Sequence, residues 1–291
     1  MKTATRPAYR PYVAVVKGAR RLSPHFARIT FTSPDFDVFG TDRRDQRVKI
    51  VLPGPDGTLC DIGQTDPAAI DNGEWYARWR DLPDEERMPF RTYTVRRIDP
   101  EALELDIDFV LHHDAGPAGA WAEAATIGDR ILVVGPDARS AESAQGIDFH
   151  PGTAQRLLLA GDETAAPAIC AILGQLPWQA RGAAFLEVPT AADVLSVVHP
   201  EGVEVVWLPR DGGPVGSRVH DAVLTHLGAP DLPVDEPVEV DPDLWETPTY
   251  SSSGEEVDAA VTLVGHDLDG LYAWIAGESA MVTTLCWYSK A

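Results

Sequence analysis

The chain is short of basic side chains and of sulfur. Its 291 residues carry 24 Lys and Arg against 45 Asp and Glu, a formal net charge of −21. That balance is the reverse of the basic patches that meet phosphate backbones and of the polybasic segments that dock on anionic lipid. Nucleic acid and membrane surfaces are therefore not expected as partners, and the acidity reads as a solubilising surface. Cys60, Cys170 and Cys286 stand far apart and form neither a CxxC motif nor a disulfide framework, which fits a reducing cytoplasm. No run approaches the roughly 20 apolar residues of a membrane span. The opening MKTATRPAYRPY has no apolar stretch of the kind a signal peptide needs. The GxGxxG fingerprint of dinucleotide-binding turns is missing as well.

What is present divides into two halves of different period. Up to about residue 150 the apolar residues alternate. HFARITFT, RVKIVLP, LELDIDFVLHH and RILVVGP are separated by turn residues, as in a small antiparallel β-barrel. In the third of these, Leu103, Leu105, Ile107, Phe109 and Leu111 share one face, with Glu104, Asp106 and Asp108 opposite. The polar segment from Asp71 to Arg87, with Trp75, Tyr76 and Trp79, is expected to be a helical excursion. From 151 to 291 short continuous apolar strands (LLLAG, AAFLEV, VEVVWLP, LYAWIA) alternate with a helical stripe through Ile169, Ile172, Leu173 and Leu176. Thr164 is placed to cap that helix, and Pro167 sits in its first turn. This order predicts a parallel α/β domain whose ligands lie beyond the carboxyl ends of the strands. An acidic, proline-rich insertion is expected at about 229–262.

Four stretches carry candidate chemistry. RTYTV sets Arg91, Tyr93 and Val95 on one face of a strand and Thr92 and Thr94 on the other. A flavin would use these groups: Tyr93 against the ring, the Thr94 hydroxyl at the polar N5 edge, Arg91 as a forked donor to phosphate. An exposed edge strand rich in β-favouring Thr and Tyr would also account for them. HHDAGPAGAWAE leads from a strand into a helix start, where bare N–H groups and small residues admit a pyrophosphate. A plain strand-to-helix turn reads the same way. His112 and His113 point to opposite faces of a strand, which argues against a metal pair. In AGDETAAPA, Gly161 and the following helix start can receive a nucleotide phosphate or approach a nicotinamide. In LYAWIAGES, Glu278 is a general acid, a substrate-orienting group or a solvated helix cap.

Taken together, these motifs resemble the siderophore-interacting proteins, a flavin-binding branch of the ferredoxin-reductase-like superfamily. The likeness runs through LSPHFARITFTSPDF, QRVKIVLP, PFRTYTVRR, DFVLHHDAGPAGAWA, GDRILVVGP, LLLAGDETAAPAI and YAWIAGESAMV. It implies a FAD-carrying barrel over 1–150, an NAD(P)H-facing α/β domain over 151–291, and reduction of a ferric siderophore to release ferrous iron in the cytoplasm. NADH or NADPH would be the electron donor and the chain a monomer, with a redox protein as another possible donor. The resemblance assigns Arg91, Thr92, Tyr93 and Thr94 to the flavin motif and His112, Gly116, Pro117, Ala118 and Trp121 to the phosphate loop. It assigns Asp162, Glu163, Thr164 and Glu278 to the nicotinamide side, with Thr94 and Glu278 nearest the chemistry, and Lys49 to the anionic siderophore. Glu187 would repel a 2′-phosphate if it lay near the ribose, with Arg181 and Arg210 able to offset it.

Three departures from the family pattern stand out. Gly119 replaces a usual Ser, losing one hydrogen bond of about 1 kcal/mol, and His113 adds bulk where the family has Gly. After GESAMV the family pattern continues into an arginine-rich helix, whereas this chain reads TTLCWYSKA. The alternatives left open are a reductase of the same fold serving an iron–sulfur protein or free flavin, and a flavin- or siderophore-binding protein impaired by that altered C-terminus.

Overall fold

The longest strand is one that the sequence reading passed over. Strand β1 (Tyr9–Ser23) turns Tyr12, Ala14 and Val16 into the core. Its outward residues are also apolar in its first half, Val13 and Val15, so the polarity alternation that marks a half-buried strand is blurred. It pairs with β2 (Phe26–Thr32) and with β6 (Arg130–Pro136). With β3 (Arg47–Val51), β4 (Phe90–Asp99) and β5 (Glu104–Val110) these close an antiparallel barrel of cyclic order β1-β2-β5-β4-β3-β6. The computed structural model describes residues 6–111, 116–228, 270–278, 281, 282 and 285, and the chain divides into two compact units, Met1–Asp148 and Phe149–Ala291. His112, the acidic stretch at 229–262 and the final residues from 286 lie outside the described set.

The barrel core is filled by the inward residues of every strand, among them Ile29, Phe31, Val48, Ile50, Leu105, Ile107, Phe109, Ile131 and Val133. Strand β5 keeps the predicted alternation, but its acidic face is not solvated. Asp106 and Asp108 are 5 % and 2 % exposed. Arg28 grips Asp108 through two bonds of 2.6 and 2.8 Å, and Arg97 reaches Asp106 at 2.8 Å. Carboxylates survive burial here because neighbouring strands supply forked cationic donors.

The helical excursion is two short helices, α1 (Pro67–Asn72) and α2 (Trp75–Asp81). The Asp66 carboxylate caps α1 by accepting from the Ala68 N–H at 3.0 Å, and Gly73 ends it in the left-handed conformation. Tyr76 is buried, and Trp79 meets the ring of Phe90 at 4.7 Å, fastening α2 to the first residue of β4. Helix α3 (Pro117–Ala124) follows β5 and lays Ala118 and Ala122 on the barrel core.

In the second unit β7 (Arg156–Gly161), β8 (Gly182–Val188), β9 (Val203–Pro209) and β10 (Leu271–Ala276) form a parallel sheet of order β10-β7-β8-β9. Helix α4 (Ala166–Leu173) joins β7 to β8, and all eight of its residues are buried. It is shorter than its apolar stripe suggested, since Leu176 falls beyond it. Thr164 does not cap it: the cap residue is Ala165, with no side-chain bond, and Pro167 occupies the first turn as expected. Helix α5 (Ser217–His226) follows β9. Strand β10 is only half-buried, and among the described strands it lies at the sheet edge rather than in the interior.

Candidate functional site

In the first unit the site grows from β4. Along this strand burial deepens from exposed Arg91 through half-buried Tyr93 to Val95 in the barrel core. Tyr93 packs its ring 4.4 Å from Phe109 of β5, and burial pushes its phenol up to about 12, with Arg91 pulling the other way. Phe109 in turn lies 6.1 Å from Trp121 of α3, whose ring stacks on Phe31 at 6.2 Å. A chain of rings therefore ties the β4 motif to the helix that follows β5. Antiparallel pairing has the same effect, because Val95 faces Ile107 and the end of β5 runs back toward Arg91. Trp121 works from the core side, holding α3 in place.

The groups that remain available suit a flat anion. Arg91 spends its single hydrogen bond on the carbonyl of Phe90, at 2.8 Å, and faces no carboxylate among the described residues. Most of the arginines in this chain of net charge −21 are in ion pairs, such as Arg28, Arg78 and Arg97, and Arg91 is one that is not. At the start of α3, Gly116 is exposed, and a Cβ placed on it would meet no atom of the described residues within 4 Å. Among the described residues no side chain caps the helix, and an anion is a suitable partner for its first-turn N–H groups. Thr94 is half-buried, while Thr92 is already engaged: its hydroxyl accepts from Lys49 Nζ at 2.8 Å. Lys49 also lies 5.3 Å from the centre of the Phe90 ring. These residues fit a flavin dinucleotide: a ring face, a forked cation and an uncapped helix start. No group of His, Cys, Asp and Glu able to hold a metal ion occurs among the described residues.

In the second unit the site lies at the switch point of the sheet, where the chain has run from β7 outward to β9 and returned to the other side of β7 as β10. Gly161 ends β7 so tightly that a Cβ there would come 2.5 Å from Ala165 and 2.6 Å from the Ala276 carbonyl. Asp162 is fully buried and accepts from the Thr164 N–H at 2.8 Å, the Thr164 hydroxyl at 2.6 Å and the Glu278 N–H at 2.6 Å. It clips the end of β10 to the end of β7 and holds exposed Glu278 at the rim. Glu163, 2 % exposed, takes both arms of Arg210 at 2.5 Å each, and this bond drives the guanidinium still further above its ordinary range.

Glu187 has a different task from the one its position suggested. It is fully buried, and its carboxylate accepts from the N–H groups of Gly216 at 2.7 Å, Arg218 at 2.8 Å and Val219 at 3.1 Å. It is an internal cap of α5. Glu187 is thus engaged by a helix and Arg210 by Glu163, and the two side chains lie 3.8 Å from one another. Sequence reasoning could not find this cap, because the helix it serves begins well beyond it in the chain.

A family model described as the siderophore-interacting FAD-binding domain matches residues 15–140, and one described as the siderophore-interacting protein matches residues 154–288. An uncharacterized protein of Mycobacterium tuberculosis is 38 % identical over 199 residues, 68 % of this chain and 64 % of its own length. The ferric vibriobactin reductase ViuB of Vibrio cholerae is 33 % identical over 190 residues, 65 % of this chain and 63 % of its own. The chain thus spans somewhat less than two thirds of the curated relatives it matches. The crystal structure of a siderophore utilization protein from T. fusca superposes with a TM-score of 0.66 at 26 % identity, covering 99 % of this chain and 89 % of that one. The two family models, which between them match residues 15–140 and 154–288, place this chain in the siderophore-interacting protein family.

Proposed function

We propose that the protein is a cytoplasmic, FAD-dependent reductase that takes electrons from NADH or NADPH and passes them to a ferric siderophore. The observation that carries this reading is Arg91, a cation without a carboxylate partner among the described residues, set beside Tyr93 on the strand whose ring contacts lead to the open start of α3. The likeness to a ferric vibriobactin reductase supports the choice of acceptor.

The residues divide the work as follows. Arg91 binds pyrophosphate as a forked donor, joined by the first-turn N–H groups after Gly116 and Pro117. Tyr93 supports the flat ring, and the Thr94 hydroxyl holds the polar edge. Bound FAD supplies the chemistry of accepting a hydride and delivering its two electrons singly, so one hydride serves two ferric ions. Asp162 keeps Glu278 at the sheet edge, where it orients the nicotinamide side. Lys49 offers positive charge to an anionic siderophore. Ferrous iron is held more weakly by siderophore oxygens than ferric iron, so reduction releases it.

The test is the visible spectrum of purified protein. Yellow protein bleached by NAD(P)H and reoxidised by ferric siderophore is the expected result. Reoxidation only by a protein acceptor would move the chain to the second class of reductase, and a flavin that never bleaches would make it a binding protein. The double variant Arg91→Ala with Tyr93→Ala should fold yet purify largely free of FAD. Full flavin occupancy in that variant would overturn the assignment of β4.

A further inference from the structure

Three places round the barrel from β4, a cavity of about 670 Å³ opens beside β1. The volume falls within the range of small-molecule sites. Its apolar surface comes from outward residues of β1, Val13 and Val15, and from Pro67 and Ile70 of α1. Four arginines line it, Arg6, Arg10, Arg130 and Arg139, against two aspartates, Asp35 and Asp71. In a chain of net charge −21 this is a local reversal of sign.

The arginines are not equivalent. Arg10 is 7 % exposed, lies 4.7 Å over the Tyr12 ring and pairs with Asp35 at 2.7 Å. Arg6 and Arg139 share the buried carboxylate of Asp137, at 3.2 and 2.6 Å, and Arg6 also meets Asp71 at 3.1 Å. Arg130 is exposed and has neither hydrogen-bond nor ion-pair partner among the described residues. It stands directly opposite Val15 in the β1–β6 register, so its guanidinium and the apolar floor share one outer face. One cation without a partner, beside apolar surface and backed by three more arginines, is an amphipathic recognition pattern: an anionic head for Arg130, an apolar body for Val13, Val15 and Ile70.

We propose that this cavity binds an organic carboxylate with an apolar body, at a site separate from the flavin motif on β4. Aromatic and aliphatic carboxylates share the required chemistry, and the probes distinguish them. The experiment is isothermal titration calorimetry on the full-length, FAD-loaded protein with 2-naphthoate, decanoate and inorganic phosphate. Saturable binding of naphthoate or decanoate near one per chain is expected, the better of the two identifying the body, with no measurable binding of phosphate. Arg130→Glu should weaken it more than tenfold, and so should Val15→Asp, while both variants melt normally and keep their FAD. Arg91→Ala should leave carboxylate affinity unchanged although it lowers flavin occupancy. The proposal is overturned if neither carboxylate saturates by millimolar concentration, if Arg130→Glu binds as well as the parent, or if affinity is lost in Arg91→Ala instead. Should a substitution at 130 unfold the barrel, Arg130→Gln, which keeps length and polarity, supplies the same comparison.

Discussion

Replacing Glu187 by Ala would strip three backbone donors of α5 of their acceptor at once. The bonds from Gly216, Arg218 and Val219 end on one fully buried carboxylate. Each bond to a charged group is worth about 1.5–3 kcal/mol, but these share one acceptor and are not additive. Removing the carboxylate also removes its desolvation cost, and water entering the space left behind restores part of the hydration. A net loss of about 3 kcal/mol follows, within the range for depriving buried polar groups of a partner. For a unit of this size that corresponds to roughly 10 °C in melting temperature. The assay is thermal melting of the full chain combined with hydrogen exchange resolved by mass spectrometry. Peptides covering α5 should lose protection while those of the barrel keep theirs. Glu187→Gln, which retains one acceptor oxygen, should fall between. The ratio of NADPH to NADH use should stay constant, because the side chain is committed to the helix. A melting shift below about 3 °C, unchanged exchange in α5, or a cofactor preference that moves with the substitution would refute the reasoning.

Other outcomes follow from the same geometry. Gly116→Ala adds a methyl group where no atom of the described residues lies within 4 Å, so apoprotein stability should be unchanged while FAD affinity drops, measured by flavin titration; equal affinity would remove Gly116 from the site. Asp162→Ala unclips Glu278, so NAD(P)H-driven bleaching in stopped flow should slow about tenfold to a hundredfold at unchanged FAD content; parent-like rates would show that the clip is only structural. Burial lowers the His220 imidazole below its ordinary value, with Asp221 opposing. The unfolded chain therefore takes up this proton first, so the stability involved is full above about pH 6.5 and is lost as pH falls toward the folded value, by at most about 1.4 kcal/mol per pH unit. His220→Gln should flatten the decline in melting temperature between pH 7 and 5, and identical slopes in both proteins would count against it.

The barrel was legible where apolar and polar residues alternate, as in β2 and β5, even though arginines bury the polar face of β5. It was illegible in β1, whose outward Val13 and Val15 erase the contrast. The β4 motif stood out because a cation, a ring and two hydroxyls occupy a stretch where a half-buried strand would alternate apolar and polar residues; its role toward a flavin belongs to the proposal. The parallel character of the second unit's sheet followed from its continuous apolar runs. Its edge could not be read, since the half-burial of β10 depends on which strand it pairs with. The least legible feature was the division of labour among acids. Asp162, Glu163 and Glu187 look alike as polar ends of apolar strands, yet one clips two strand ends, one holds an arginine and one caps a distant helix. Only the fold brings their partners to them.

Strand β10 has a consequence for biosynthesis. It lies against β7 along its whole length, from Leu271 opposite Arg156 to Ala276 opposite Gly161, yet it leaves the ribosome long after β7, β8 and β9. Until it arrives, β7 presents a bare row of backbone donors and acceptors on an apolar LLLA strand, the kind of edge that recruits other chains. Nascent or interrupted chains ending before residue 271 should therefore carry a folded barrel joined to a sheet whose apolar β7 edge is unpaired and aggregation-prone, and the arrival of β10 gives that edge its partner.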